Sequence, residues 1–477
     1  MKKYTLSILC CSLLVSWINF GCKVPASTQV PALKTSPISY NSSSDTNNTA
    51  FIKWNDFFQD KYLLQLIDTA VHNNLEVLTA LQEIEVAKNK IRARKGLLLP
   101  TVSGVGGIGL DKTARYTSTG AGNASTDITP GVRVPEQLGD YMLGFQASWE
   151  VDVWGKLHNY KRAALARYLE SMEGKNFVVT SLVAEIASSY YELIALDNQL
   201  DIIREAISIQ KNALELVKVQ KDASRVTELA VKQFEATVLH SQSMEFDILQ
   251  QITENENKIN YLLGRYPQPV LRDKRALTDQ LPIPIRYGIP SQMLINRPDI
   301  RKAEQELAAA KCDVKAARAE FYPSFGITGG VGFQAFKPNY LFLTPESFMY
   351  SLMGDLTAPL INRNGIRAEF NTANAYQLEA MYDYQKTIIN GYVEVSNEVS
   401  SINNLEKLYN IKSKEVDALK NSIEISNDLF KSAKADYLEV LTAQRDALDS
   451  KLELVETRKR QFSAITNLYR ALGGGWR

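Results

Sequence analysis

Histidine is nearly missing from this chain: His72, His158 and His240 are the three present in 477 residues, far apart and without the spacing metal ligands need. Cysteine is almost as scarce. Of Cys10, Cys11, Cys22 and Cys312, the first two fall in a leader argued below to be removed, and no CxxC pattern or disulfide framework remains. Charge of one sign is lacking too, because 54 Lys and Arg oppose 53 Asp and Glu for a net charge of +1. That balance gives no general attraction to nucleic acid or to acidic partners. No phosphate-binding glycine loop and no nucleophile motif occurs. The carboxylate pairs Glu83 with Glu85 and Glu150 with Asp152 read as solvated or structural charges on a helix and a strand. Metalloenzyme, disulfide scaffold and basic nucleic-acid binder are thereby set aside, and no catalytic residue, metal or cofactor is assigned. What the chain has is 45% hydrophobic against 22% charged residues, enough to bury a core. Cys312, in an Ala-rich stretch, is expected to be a small buried apolar residue.

Lys2 and Lys3 precede an apolar stretch, Leu6 to Ile18, broken by Ser7, Ser12 and Ser16. It is too short to cross a bilayer as a helix and suits the apolar region of a signal peptide. It ends at Asn19-Phe20-Gly21-Cys22, with the small residue before Cys that lipoprotein processing requires. Asn19 and Phe20 stand where bacterial lipoboxes carry Leu and then Ala or Ser, and the competing reading is a secretory signal with an incidental cysteine. Lipid on the Cys22 thiol and an acyl group on the new amino terminus would together anchor the chain stably, where one acyl chain would not. Residues 1–21 are therefore read as the signal peptide. Residues 22–50, with Pro25, Pro31, Pro37 and Asn41-Ser42-Ser43-Ser44, are read as an extended, lipid-anchored tether.

The rest is two copies of one plan. Residues 74–110 align without gaps on 297–333, sharing Ala87-Lys88 with Ala310-Lys311, Pro100 with Pro323, and Gly106-Gly107 with Gly329-Gly330. Farther along, Ala184-Glu185-Ile186 matches Val393-Glu394-Val395, and Leu263-Gly264 matches Leu472-Gly473. The first copy carries the longer loop between its strands, Tyr116 to Gly131. Repeats of this length indicate a duplicated domain rather than a solenoid. The boundaries are 51–264 for repeat 1, 265–296 for the inter-repeat connection, 297–472 for repeat 2 and 473–477 for the tail.

Each copy reads helix, strand pair, long helix, turn, helix. The first helices (about 75–98 and 298–321) stop before a proline. Strands are expected at about 101–111, 140–150, 324–334 and 348–358. Tyr141, Leu143, Phe145, Ala147 and Trp149 alternate with Met142, Gly144, Gln146, Ser148 and Glu150, one apolar face against one small or polar face. Ten residues and that alternation suit a tilted membrane strand with a watery interior. From about 156 to 220 and 365 to 431 there is no proline, and Val183, Ile186, Tyr190, Leu193, Leu196 and Leu200 recur at helical spacing. Helices of that length extend roughly 95–100 Å. The helices about 227–262 and 437–472, stacked end to end with the first helices, would pack along them as a coiled-coil wall. Four strands cannot close a barrel, and open edges in lipid are prohibitively costly. The chain must therefore oligomerise, and a conducting lumen favours three copies and twelve strands.

Several stretches, in order, carry a resemblance. They are Ser148-Trp149-Glu150-Val151-Asp152-Val153-Trp154-Gly155-Lys156, Ile289-Pro290-Ser291, Arg297-Pro298-Asp299-Ile300-Arg301-Lys302-Ala303-Glu304, Phe321-Tyr322-Pro323-Ser324, Ala358-Pro359-Leu360 and Ala471-Leu472-Gly473-Gly474-Gly475-Trp476. From about Trp54 to Trp476 the chain resembles the TolC-type outer-membrane efflux channels, in their NodT-like lipoprotein branch. The resemblance implies an α+β membrane protein that assembles as a homotrimer, with a twelve-stranded outer-membrane barrel above a periplasmic α-helical barrel. It implies a passive exit duct in a Gram-negative outer membrane, docked to a periplasmic adaptor and an inner-membrane transporter. Adaptor-docking tips would be Ser224, Arg225, Val226 and Thr227, and Ala433, Lys434, Ala435 and Asp436, with Ser224 and Ala433 where relatives commonly carry Gly. A periplasmic gate would fall on Leu438, Glu439, Thr442 and Arg445, where Thr442 replaces a second acid and Arg445 is expected to bridge to a neighbouring helix. The alternative of a different class is a lipid-anchored coiled-coil scaffold or adaptor without a pore.

Overall fold

The computed structural model describes residues 47–277, 286–361, 363–432 and 434–477, together with residues 25, 26, 31, 32, 37, 39 and 40. The expected leader 1–21, the expected lipid acceptor Cys22 and the expected tip residue Ala433 lie outside the described residues. The chain divides into two units. Among the described residues, the first comprises Val86–Tyr168 and Gln305–Met381, and the second lies within Ala32–Glu85, Leu169–Glu304 and Tyr382–Arg477.

The first unit holds one four-stranded antiparallel sheet. Its strands are β1 (Thr101–Asp111), β4 (Leu138–Val151), β5 (Ser324–Ala335) and β6 (Phe348–Thr357), in the order β1-β4-β5-β6. The loop between β1 and β4 is structured. It contains a helix, Ser118–Ser125, capped by Thr117, and a small hairpin of β2 (Asp127–Thr129) and β3 (Val132–Arg133). Directly paired residues share a face, so the register sorts the side chains. Gly104, Phe145, Val331 and Tyr350 form one row across the sheet, and Gly106, Leu143, Phe333 and Phe348 the next. The other face carries Ser103, Gln146, Gly330 and Ser351 in one row and Thr101, Ser148, Thr328 and Met353 in another. The apolar face is uncovered within the chain: Tyr350 and Leu352 are 80% and 81% exposed. Gly144 and Gly332 face each other, and a Cβ on either would meet the opposite backbone at 2.6 Å and 2.5 Å, so β4 and β5 approach here only as glycines. Cys312 is half-buried, a departure from its expected full burial, because its helix has an open side at that turn.

Helices supply most of the second unit. They are α1 (Lys61–Asn73), α2 (Leu75–Gly96), α3 (Lys156–Asp222), α4 (Glu228–Leu262), α5 (Pro298–Ala319), α6 (Asn364–Lys431) and α7 (Tyr437–Ala471), of which α2, α3, α5 and α6 also contribute residues to the first unit. The proline-free stretches are single helices of 67 and 68 residues. The stripe Val183, Ile186, Tyr190, Leu193, Leu196 and Leu200 is buried, as spacing of three and four requires, against Phe57, Leu63, Ile67, Ile259, Phe462 and Tyr469. Asp60 caps α1 through the Tyr62 and Leu63 amides and accepts the Tyr190 hydroxyl at 2.7 Å.

The end-to-end stacking rests on two matching joints. Asn74 caps α2 through the Glu76 and Val77 amides, and its Nδ2 donates to the Leu262 carbonyl at 2.9 Å, where α4 ends. At the aligned position of the second repeat, Arg297 Nη1 donates to the Ala471 carbonyl at 2.8 Å, where α7 ends. Both α4 and α7 stop in a left-handed glycine, Gly264 at φ 65 and Gly473 at φ 91. A Cβ there would lie 2.5 Å from the Asn73 carbonyl oxygen and 2.6 Å from that of Asn296. The recurring Leu-Gly thus marks where one helix abuts the next.

Candidate functional site

At the first tip, α3 ends in a Schellman motif. Ser224 N donates to the Lys221 carbonyl at 2.8 Å and Arg225 N to the Gln220 carbonyl at 2.8 Å, which places Ser224 in the left-handed position at φ 60. A serine therefore fills the turn without the expected glycine. Thr227 then caps α4 through the Ala230 amide at 3.4 Å, and Lys221 reaches across the turn to Glu228 at 2.6 Å. That pair lowers the Glu228 pKa and raises that of Lys221, with the direct hydrogen bond as the first cause in each.

The second tip repeats the plan. Lys434 N donates to the Leu429 carbonyl at 2.8 Å, the same five-residue span as in the first turn, and Asp436 caps α7 through the Tyr437 amide at 2.6 Å. Ser224, Arg225, Thr227, Lys434 and Asp436 are exposed, while Val226 and Ala435 are half-buried. One apolar cluster lies beneath both turns, joining Val217 of α3, Phe234 of α4, Phe430 of α6 and Val440 of α7, with Val226 and Tyr437 packed against it. The structure thus brings the two predicted tips together on a shared core.

Along α7, Leu438, Glu439, Thr442 and Arg445 share the exposed side, and Val440, Ala443, Gln444 and Ala447 point into the protein. Within the chain Arg445 does not reach a neighbouring helix. Its Nε and Nη2 donate to Asp446 Oδ1 of the same helix at 3.3 Å and 3.2 Å, with Arg445 largely and Asp446 partly in solvent. Within one chain the adjacent carboxylate is thus the partner of Arg445, on the same exposed side as Glu439.

A buried polar centre lies at Arg297, to which the sequence assigns no role. Arg297, 5% exposed at its side chain, binds Asp299 through two nitrogens at 3.0 Å and 2.7 Å and Glu394 at 2.8 Å, besides the Ala471 carbonyl. The signals in the sequence are that Arg297 stands where the first repeat has Asn74 and that it opens the Arg297-Pro298-Asp299 stretch. A similar centre joins the inter-repeat connection to the first repeat: Arg272 grips Asp197 at 2.6 Å and also Glu256. Among the described residues, no group of three or more His, Cys, Asp and Glu side chains is placed to hold a metal ion.

Comparison with known proteins shows the family and the fold. The family described as outer membrane efflux protein matches residues 66–265 and 289–474. The solvent efflux pump outer membrane protein SrpC of Pseudomonas putida is 26% identical over 430 residues, covering 90% of this chain and 88% of that protein. The probable outer membrane lipoprotein SilC of Salmonella typhimurium is 27% identical over 429 residues, covering 89% and 88%. The crystal structure of the open state of the Neisseria gonorrhoeae MtrE outer membrane channel superposes with a TM-score of 0.81 at 22% identity, covering 95% of this chain and 98% of that one.

Proposed function

The chain belongs to the outer membrane efflux protein family, and from that membership we propose that it is the outer-membrane exit duct of a tripartite efflux system in a Gram-negative cell. It passes small molecules, delivered by an inner-membrane transporter through a periplasmic adaptor, to the outside. The observation that carries this reading is the sheet. One face is apolar and uncovered, and among the described residues no strand lies beyond β1 or β6. Lipid offers no hydrogen bonds to such edges, so the sheet is satisfied only when copies pair β1 to β6 and close. Three copies give the twelve strands of a water-filled barrel, with the small and polar face lining it. In this reading the exposed turns at 224–227 and 434–436 dock the adaptor, and the exposed side of α7 at 438, 439, 442 and 445 narrows the periplasmic entrance.

Cys22 is the proposed lipid acceptor, in keeping with a relative named as a probable outer membrane lipoprotein. Palmitate labelling that persists in Cys22→Ala would remove it from that role. The duct itself is tested by reconstituting the full chain in planar bilayers. Discrete conductance steps and a heat-resistant trimer band on gels are expected. A soluble or lipid-tethered coiled coil that never conducts would instead support the scaffold reading.

A further inference from the structure

Where β4, β5 and β6 run into the flanking helical segments, the first unit contains a cavity of about 230 Å³. That is several times the ~30 Å³ share of one liquid water, so it admits a small organic molecule. Its walls include Glu150, Asp152, Trp154, Lys156, Glu320 and Tyr322. Trp154 and Tyr322 stack with ring centroids 4.8 Å apart and planes 23° apart, and Trp154 Nε1 donates to the Pro323 carbonyl at 2.7 Å. The indole is therefore fixed in place, yet Trp154 remains 46% exposed and presents aromatic surface.

The charges around that surface have one prevailing sign. Lys156 Nζ sits 2.6 Å from Glu150 Oε1, so this base is already matched. Two further carboxyls line the cavity. Asp152 is turned to the Leu157 and His158 amides and the His158 ring, while Glu320 accepts the Tyr160 hydroxyl at 3.0 Å. The adjoining sheet has the same bias. Its four long strands carry Asp111, Asp140, Glu150 and Asp355, all on the small and polar face, and no Lys, Arg or His. An anion approaching along this face meets only like charge, and a cation is drawn in.

We propose that this cavity is a binding site for a small organic cation, an amine or quaternary ammonium with an apolar body, which seats its charge at Glu320 and its body against Trp154. Fixed aromatic surface beside a carboxyl is the chemistry that recognises such ions, through cation–π attraction joined to a direct counter-charge. An inorganic ion would leave the aromatic wall unused, and a neutral aromatic solute would leave the carboxyl unused. The groups facing Glu320 set the pH dependence. Burial first, and then the Glu369 carboxyl from α6, hold Glu320 above the ordinary carboxylate range, while Tyr160 and Lys156 from α3 act in the opposite direction. A bound cation favours the ionised carboxylate, so binding strengthens as pH rises.

The test is titration calorimetry on the detergent-solubilised full chain with benzyltrimethylammonium, and with benzyl alcohol as its neutral counterpart. It reads binding rather than conduction, so its failure leaves the exit-duct reading untouched. The cation is expected to bind at least about tenfold more tightly than the alcohol, and more tightly at pH 7.5 than at pH 5. Trp154→Ala and Glu320→Gln should each weaken it about tenfold, with Trp154→Phe close to the parent. Glu320→Gln retains an acceptor for Tyr160, and circular dichroism confirms that the variants fold. Equal affinity for the alcohol overturns the proposal. So does undiminished affinity in both variants, or no cation binding up to millimolar concentrations.

Discussion

Ser224 occupies a backbone conformation that glycine adopts without steric conflict, and the Schellman hydrogen bonds of the first tip hold it there at φ 60. For an L residue the left-handed region costs about 1 kcal/mol. Ser224→Gly should therefore steady the tip by about that amount, slowing amide exchange at 217–231 about fivefold. Unchanged or faster exchange there would show that the serine side chain makes up the difference. Glu320 gives a second prediction at this scale. Burial and then Glu369 raise its pKa above the unfolded value, so its stabilising contribution is complete below the ordinary carboxylate range. That contribution is lost as pH rises through the raised value. The parent should gain thermal stability from pH 8 to pH 5 partly through this group, and Glu320→Gln should shrink the gain. If the difference between the two pH values is the same in both proteins, Glu320 is not the source. The neighbouring Tyr160 hydroxyl is pushed up to about 12, chiefly by burial, and stays protonated across that range.

Helices and strands were far more legible than the contacts between them. Missing prolines and regular apolar spacing announce α3 and α6, because a helix that long needs only uninterrupted backbone bonding and a buried stripe. Alternation announces β1, β4, β5 and β6 for the same local reason. What was not legible depends on partners distant in sequence. Nothing around Arg297 reveals that Glu394 and the Ala471 carbonyl lie within 2.8 Å of it. The joints make the difference measurable. Arg297→Ala leaves the Asp299 and Glu394 carboxylates without their shared cation at a largely buried site, a loss on the order of 3–5 kcal/mol. Asn74→Ala removes a neutral cap and one carbonyl contact, on the order of 1–2 kcal/mol. In denaturant unfolding the first variant should lose clearly more than the second. Equal losses would mean that the joint, rather than the ion cluster, sets the stability.

At the scale of the whole assembly, symmetry turns single side chains into rings. Docking is read by placing cysteines at the exposed tip positions Ser224 and Lys434 and recovering crosslinks to the adaptor in cells. Crosslinks confined to residues near 120 or 340 would reverse the proposed orientation. The gate asks more of the geometry. Among the described residues of one chain Arg445 pairs with the neighbouring Asp446, at a largely solvated guanidinium and a partly solvated carboxylate, so the pair contributes little and the guanidinium can exchange partners. In the proposed trimer the exposed side of α7 faces a neighbouring copy or the lumen, and Arg445 there meets acids that no single chain supplies. Glu439, one turn or more nearer the tip, would repeat as a ring of three carboxylates and favour cations at the entrance. Arg445→Ala is therefore expected to raise the resting conductance in planar bilayers and to increase antibiotic leakage into cells. Glu439→Gln should lower the preference for cations while leaving the trimer band on heated gels unchanged. These two effects are separable, since one concerns how often the entrance opens and the other which ions pass it. Should both variants conduct and select like the parent, the narrowest point lies on another side of the helices, and the exposed side of α7 serves only the seam between copies.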